Sequence, residues 1–153
     1  MYSSQKLLLN RYSSNNQFYS ITICSAQKAT LFKTFNNACI AARGIMYMQN
    51  KVHNICYTLM PDHLHWLFQL RTSSLPEVIR QYKSITTIKF NQLNNSSGKI
   101  WQQGYFEHKI RAEEDLLNQA RYIAANPLRA GIVKKLEYYS FWDSLYLEKS
   151  LLK

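Results

Sequence analysis

Apolar positions along this chain switch between two periods, and the switches predict its elements. Phe18 to Cys24 alternates, with Tyr19, Ile21 and Ile23 on one side, which predicts a strand. From Phe35 the spacing turns helical: Phe35, Ala38, Cys39, Ala42 and Met46 share a stripe, with Thr34 in the N-cap position. Ile55 to Leu59 predicts a second strand, and Met60-Pro61-Asp62 is a tight connection into a third that starts at His63, forming an antiparallel hairpin. Ser74-Leu75-Pro76-Glu77 carries a capping-box pattern with proline in the first turn. It opens a helix whose stripe runs Leu75, Val78, Ile79, Tyr82 and Ile85, then on to Phe90 and Leu93. Asn94 to Gly98 is a loop, and Ile100 to Ile110 reads as extended. Glu113, Glu114 and Asp115 fall in the first turn of a last helix, where the helix dipole favours carboxylates. That helix ends near Asn126-Pro127, because the residue before proline avoids the α region.

The order strand, helix, strand, strand, helix, strand, helix predicts an α+β fold: a ferredoxin-like antiparallel sheet with helices packed on one face. The other sheet face would then stay open. Residues 1–153 read as a single domain, with 1–16 as an N-terminal arm and 130–153 as a basic, aromatic C-terminal tail. With 46% hydrophobic and 14% aromatic residues, the chain has ample material for a core, which argues against disorder. Its three cysteines, Cys24, Cys39 and Cys56, form no CxxC pair and sit in apolar segments, so they read as reduced core residues of a cytoplasmic, bacterial protein. No apolar run approaches the ~20 residues a bilayer needs, and no membrane partner is expected.

The chemistry concentrates in Pro61-Asp62-His63-Leu64-His65-Trp66-Leu67-Phe68. In a strand, His63, His65, Leu67 and Gln69 share one face, while Leu64, Trp66, Phe68 and Leu70 make an apolar back. Two imidazoles side by side on a rigid strand are suited to holding a cation. The alternative is two half-buried histidines with separate hydrogen-bond partners. A zinc hydrolase is disfavoured, since there is no HExxH and no cysteine ligand pair.

Charge names a class of partner. Nineteen Lys and Arg against nine Asp and Glu give +10, and residues 1–61 hold six basic residues and no acid. Such an excess suits a polyanion, with Tyr, Asn, Gln and Ser available to stack on bases and bond to phosphates. Arg80, Lys83 and Lys89 lie off the apolar stripe of their helix and are candidate phosphate contacts. On the last helix, Leu116, Ala120 and Ile123 form the apolar stripe, and Tyr122 and Asn126 sit one turn apart on another face. A phenol and a carboxamide so placed are a candidate nucleophile and oxygen ligand; equally, they could be a surface tyrosine and a helix-capping asparagine.

In combination these motifs resemble a family. His63-Leu64-His65, within Met-Pro-Asp-His-Leu-His-Trp, is similar to the His-hydrophobic-His motif of the IS200-like single-strand DNA transposases. Ile100-Trp101-Gln102 followed by Tyr105 to Arg111 resembles the segment before the catalytic helix in REP-associated tyrosine transposases. Tyr122 to Gly131 resembles that group's nucleophile motif, and Arg11-Tyr12 its N-terminal start, with a role in DNA binding. The resemblance covers roughly residues 10–142. It implies a divalent metal, Mg²⁺ or Mn²⁺, held by His63, His65 and Asn126, and attack by Tyr122 on a scissile phosphate to leave a 5′-phosphotyrosine. A phenol is mostly protonated near neutrality and needs activation, by the metal or a nearby lysine. Implied partners are single-stranded or hairpin DNA, with nucleoid association when bound and a monomer favoured over a homodimer. Whether the chain is mobile or host-retained is left open. Tyr105 is a rival nucleophile and His108 a further ligand or general base. The competing reading is a non-catalytic single-stranded nucleic-acid-binding module on the same sheet.

Overall fold

Alternation in the first apolar segment produces β1 (Phe18–Cys24), in which Tyr19, Ile21 and Ile23 are buried. It is followed by α1 (Phe35–Met46), β2 (Val52–Met60), β3 (His63–Leu70), α2 (Leu75–Asn94), β4 (Phe106–Ile110), α3 (Glu113–Ala124), the single turn α4 (Asn126–Arg129) and β5 (Trp142–Ser144). The computed structural model describes residues 16–135 and 138–144. Arg11, Tyr12 and nearly all of the expected N-terminal arm therefore lie outside the described residues.

The sheet has the order β4-β1-β3-β2-β5, with every neighbouring pair antiparallel. Its first four strands reproduce the ferredoxin-like order expected from the sequence. The fifth lies within the segment 130–153 that the sequence predicts as a tail. Leu59 N–H donates to Phe141 O at 2.9 Å and the Tyr139 hydroxyl donates to Leu59 O, so the chain returns to the β2 edge and pairs there. Edge pairing of this kind satisfies backbone groups that would otherwise face solvent.

α1 and α2 cover one face, over a core of Tyr19, Ile21, Ile23, Leu64, Trp66, Phe68 and Leu70. The expectation that all helices share this face holds for these two and fails for α3. Leu116, Ala120 and Ile123 of α3 pack on Ile55, Cys56, Leu67 and Ile110, on the opposite face. A bulge in β2 enlarges the apolar surface there: the register shifts between Asn54 and Cys56, and both Ile55 and Cys56 pack with α3. The histidine face is thus half covered by a helix instead of open.

The α1 stripe is also rotated from the one the spacing predicts. Ala38, Ala41, Gly44 and Ile45 face inward, while Phe35 and Met46 are exposed. Gly44 is the cause. A Cβ there would lie 2.5 Å from Thr86 Cγ2 and 2.8 Å from the Tyr82 ring, so only glycine lets α1 approach α2 this closely. Neither neighbour can retreat: the Tyr82 hydroxyl donates to Ala41 O, and Thr86 Oγ1 donates to Tyr82 O while accepting from Trp101 Nε1, each at 2.8 Å. On an open helix, Gly→Ala gains about 1 kcal/mol. Here the overlap costs about 1–3 kcal/mol. Gly44→Ala is expected to lower the urea midpoint and Gly44→Val to lower it further; an unchanged midpoint for the valine variant would contradict this packing.

Candidate active site

His65 sits mid-sheet in a row of directly opposed residues, Phe106 and Thr22 on one side and Thr58 on the other. His63 lies one residue pair further along the same face, opposite Cys24 and Met60. Because β3 keeps Leu64, Trp66 and Phe68 fully buried behind them, the backbone that carries the imidazoles is fixed by the core.

Each ring is then oriented by a hydrogen bond at Nδ1. Asp62 Oδ1 lies 2.6 Å from His63 Nδ1, and Thr22 Oγ1 lies 3.0 Å from His65 Nδ1. An ionised carboxylate only accepts, so this contact places a His63 proton on Nδ1 and leaves Nε2 as the ring atom facing His65. The Thr22 hydroxyl can donate or accept and so suits either tautomer of His65. The two Nε2 atoms converge at 3.1 Å, with the rings at 90°. Two nitrogen–cation bonds of about 2.1 Å at a right angle would separate the nitrogens by about 3.0 Å. The pair therefore fits a shared divalent cation, and the Asp62 and Thr22 contacts are the kind that hold ligating imidazoles in place. The His65 pKa is pushed down to about 4, by burial first and then by His63 and Arg129, so it is neutral at pH 7, as a ligand must be. Among the described residues, no group of three or more His, Cys, Asp or Glu could hold a metal ion, so a third protein ligand has to come from elsewhere.

α3 delivers that candidate. Thr58 Oγ1, beside His65, donates to Ile123 O at 2.8 Å and anchors the end of the helix over the histidine row. Tyr122 is 55% exposed, which leaves its ring accessible. Asn126 follows as α3 gives way to α4; its Oδ1 accepts from Arg129 Nη2 at 3.2 Å, while its Nδ2 is buried with no partner among the described residues. The Arg129 guanidinium stacks on the Tyr122 ring, 3.8 Å from its centroid. Arg129 and the exposed Phe106 were given no role from the sequence. The signal for Arg129 was its helical spacing, three residues after Asn126 and seven after Tyr122.

The other sequence candidates lie elsewhere. Tyr105 packs against the core on the α1–α2 side, across the sheet from the histidines. It lines a cavity of about 600 Å³ with Ile79, Arg80, Lys83, Lys99 and Trp101. Lys83, expected to meet phosphate, donates to Gln102 O at 2.8 Å and Gly104 O at 2.6 Å, and burial holds its pKa below the ordinary lysine value. Its charge tethers a loop. Arg80 is exposed beside it, and Lys89 lies over the Tyr47 ring at 5.1 Å. His108 is exposed on β4, on the histidine face but one row removed, opposite Ser20.

Residues 13–126, three-quarters of the chain, match the family described as "Transposase IS200 like". The chain belongs to the IS200-like transposase family. It is 34% identical over 107 residues to a Haemophilus influenzae protein named as a candidate REP-associated tyrosine transposase, covering 57% of each. It is 29% identical over 87 residues to the REP-associated tyrosine transposase of Escherichia coli, covering 56% of this chain and 50% of the relative. The chain thus spans about half the length of these curated relatives. The fold is similar to that of a REP-associated tyrosine transposase bound to a REP hairpin, with a TM-score of 0.69 and 22% identity over 86% of this chain and 79% of that one. No described helix is long and apolar enough to cross a membrane.

Proposed function

We propose that this IS200-like transposase nicks and rejoins single-stranded DNA at hairpin sequences through a covalent 5′-phosphotyrosine on Tyr122. His63 and His65, with the amide oxygen of Asn126, would hold a divalent cation, Mg²⁺ or Mn²⁺. When bound, that cation supplies charge stabilisation to a phosphate in the transition state. The observation that carries the reading is the convergence of the two Nε2 atoms at 3.1 Å beneath the end of the helix that carries Tyr122.

Tyr122 would attack phosphorus through its phenolic oxygen. A new O–P bond forms, the bond to the 3′ oxygen breaks, and the phenolic proton ends on the departing 3′-hydroxyl. The phosphodiester energy stays in the protein link, so a second 3′-hydroxyl can reverse the step without ATP. Thr58 fixes the end of α3 and so limits the positions the phenol can adopt, which is where much of an enzyme's rate gain arises. Exposed Phe106, in the histidine row, offers a stacking surface for an unpaired base.

Strandedness and salt test this reading. A single-stranded DNA hairpin with Mn²⁺ should give an adduct that survives denaturing electrophoresis, and excess chelator should prevent it. A blunt duplex of equal length should compete poorly, because stacking holds its backbone away from a helix-borne tyrosine. Affinity for the single strand should fall with salt by about 0.7 log units per phosphate neutralised per log unit of salt. Binding unaffected by chelator, with no adduct under any condition, would favour the non-catalytic binding module.

A further inference from the structure

Arg129 meets two members of the candidate site at once. Its Nη2 donates to Asn126 Oδ1 at 3.2 Å, and its guanidinium lies 3.8 Å from the centroid of the Tyr122 ring. The contact with Asn126 has a consequence on the amide's other side. With the oxygen drawn to Arg129, Nδ2 is left buried with no acceptor among the described residues, an uncommon state for a buried donor. Turning the amide over would set its NH₂ against a group that only donates. Arg129 therefore fixes the amide in this orientation, with one of its oxygen's two lone pairs engaged and a guanidinium charge 3.2 Å away that repels a cation at that oxygen.

We propose that Arg129 is a phosphate-responsive positioning residue: without DNA it holds the Asn126 oxygen and the Tyr122 ring, and a DNA phosphate draws it away and frees both. The inference rests on the metal and nucleophile assignments proposed above. Its chemistry follows from relative strength. A guanidinium pairs with phosphate through two charge-assisted hydrogen bonds, which outweigh one bond to a neutral amide and an exposed ring contact. Arg129 is exposed, so a phosphate can reach it without disturbing the core. Released, the amide oxygen is available to the cation, and the Tyr122 ring is no longer held by the guanidinium. DNA and cation should then each strengthen the binding of the other by the same factor.

Mn²⁺ affinity, measured by electron paramagnetic resonance, tests this without relying on catalysis. All proteins would carry Tyr122→Phe to prevent cleavage, and the probe would be a single-stranded DNA hairpin with a 5′ extension. In this background, adding DNA should tighten Mn²⁺ binding by about fivefold or more. Arg129→Ala should bind Mn²⁺ more tightly without DNA and gain less than the parent when DNA is added. Combining Asn126→Ala with Arg129→Ala should remove that gain, because the effect passes through the amide. Unchanged Mn²⁺ affinity in Arg129→Ala, with the DNA effect intact, would overturn the role of Arg129 alone. If Mn²⁺ binding is absent, or persists in His63→Ala and His65→Ala, the metal assignment falls and this inference with it.

Discussion

Tyr122→Phe is expected to abolish the covalent protein–DNA adduct, lowering its rate of formation by at least about 10⁴-fold, as loss of a nucleophile does in other covalent enzymes. DNA affinity should barely change, since the substitution removes one oxygen and keeps the ring on which Arg129 stacks. Tyr105→Phe should leave the adduct intact. The motif around Tyr105 makes it a rival in the sequence, though the residue four positions on is Lys109 and no metal ligand; Tyr105 packs against the core on the α1–α2 face, whereas Tyr122 is exposed on the helix anchored beside His65. Rate measurements by denaturing gel over a time course separate the cases. Adduct that survives Tyr122→Phe and disappears with Tyr105→Phe would reverse the assignment.

The second large effect concerns the histidines. His63→Ala and His65→Ala should each reduce adduct formation by about 10²–10³-fold or more, the cost of removing a principal transition-state stabiliser. Folding should persist in both, because Leu64, Trp66 and Phe68 on the back of β3 carry the packing. Asp62→Asn should weaken Mn²⁺ binding by about 10–100-fold, the usual effect of losing a carboxylate that orients a ligating imidazole. Asn126→Ala should be milder than either histidine substitution, since water can replace an amide oxygen. Calorimetric Mn²⁺ titration alongside a urea melt checks these together. Lost activity with a lowered urea midpoint would mean that the imidazoles serve the fold and not the metal.

Strand alternation made the front of β3 legible, and the 3.6 period correctly placed Leu116, Ala120 and Ile123 on the buried side of α3. Which side of the sheet α3 covers is not legible, because it is set by long-range packing on Ile55, Cys56, Leu67 and Ile110, and the bulge that brings Ile55 and Cys56 to the same contact looks like ordinary strand in one dimension. The α1 stripe was misplaced because its rotation is set by the contact of Gly44 with Tyr82 and Thr86, residues some forty positions away. Long-range placement likewise decides charges: Lys83 lies off the apolar stripe, as a phosphate contact should, yet two loop carbonyls take its ammonium. Arg129 was hidden for the opposite reason. Its partners are local, at helical spacings of three and seven, but that spacing spans the change from α3 to α4 and does not by itself say that the guanidinium lies across the Tyr122 ring.

Peptide mapping of the adduct tests the central claim most directly. Wild-type protein would be incubated with a single-stranded DNA hairpin and Mn²⁺, digested with nuclease and protease, and the modified peptide sequenced by mass spectrometry. The nucleotide is expected on Tyr122, joined through a 5′ phosphate. A nucleotide on Tyr105 or any other residue, or a modified peptide that forms equally well with chelator present, would contradict it.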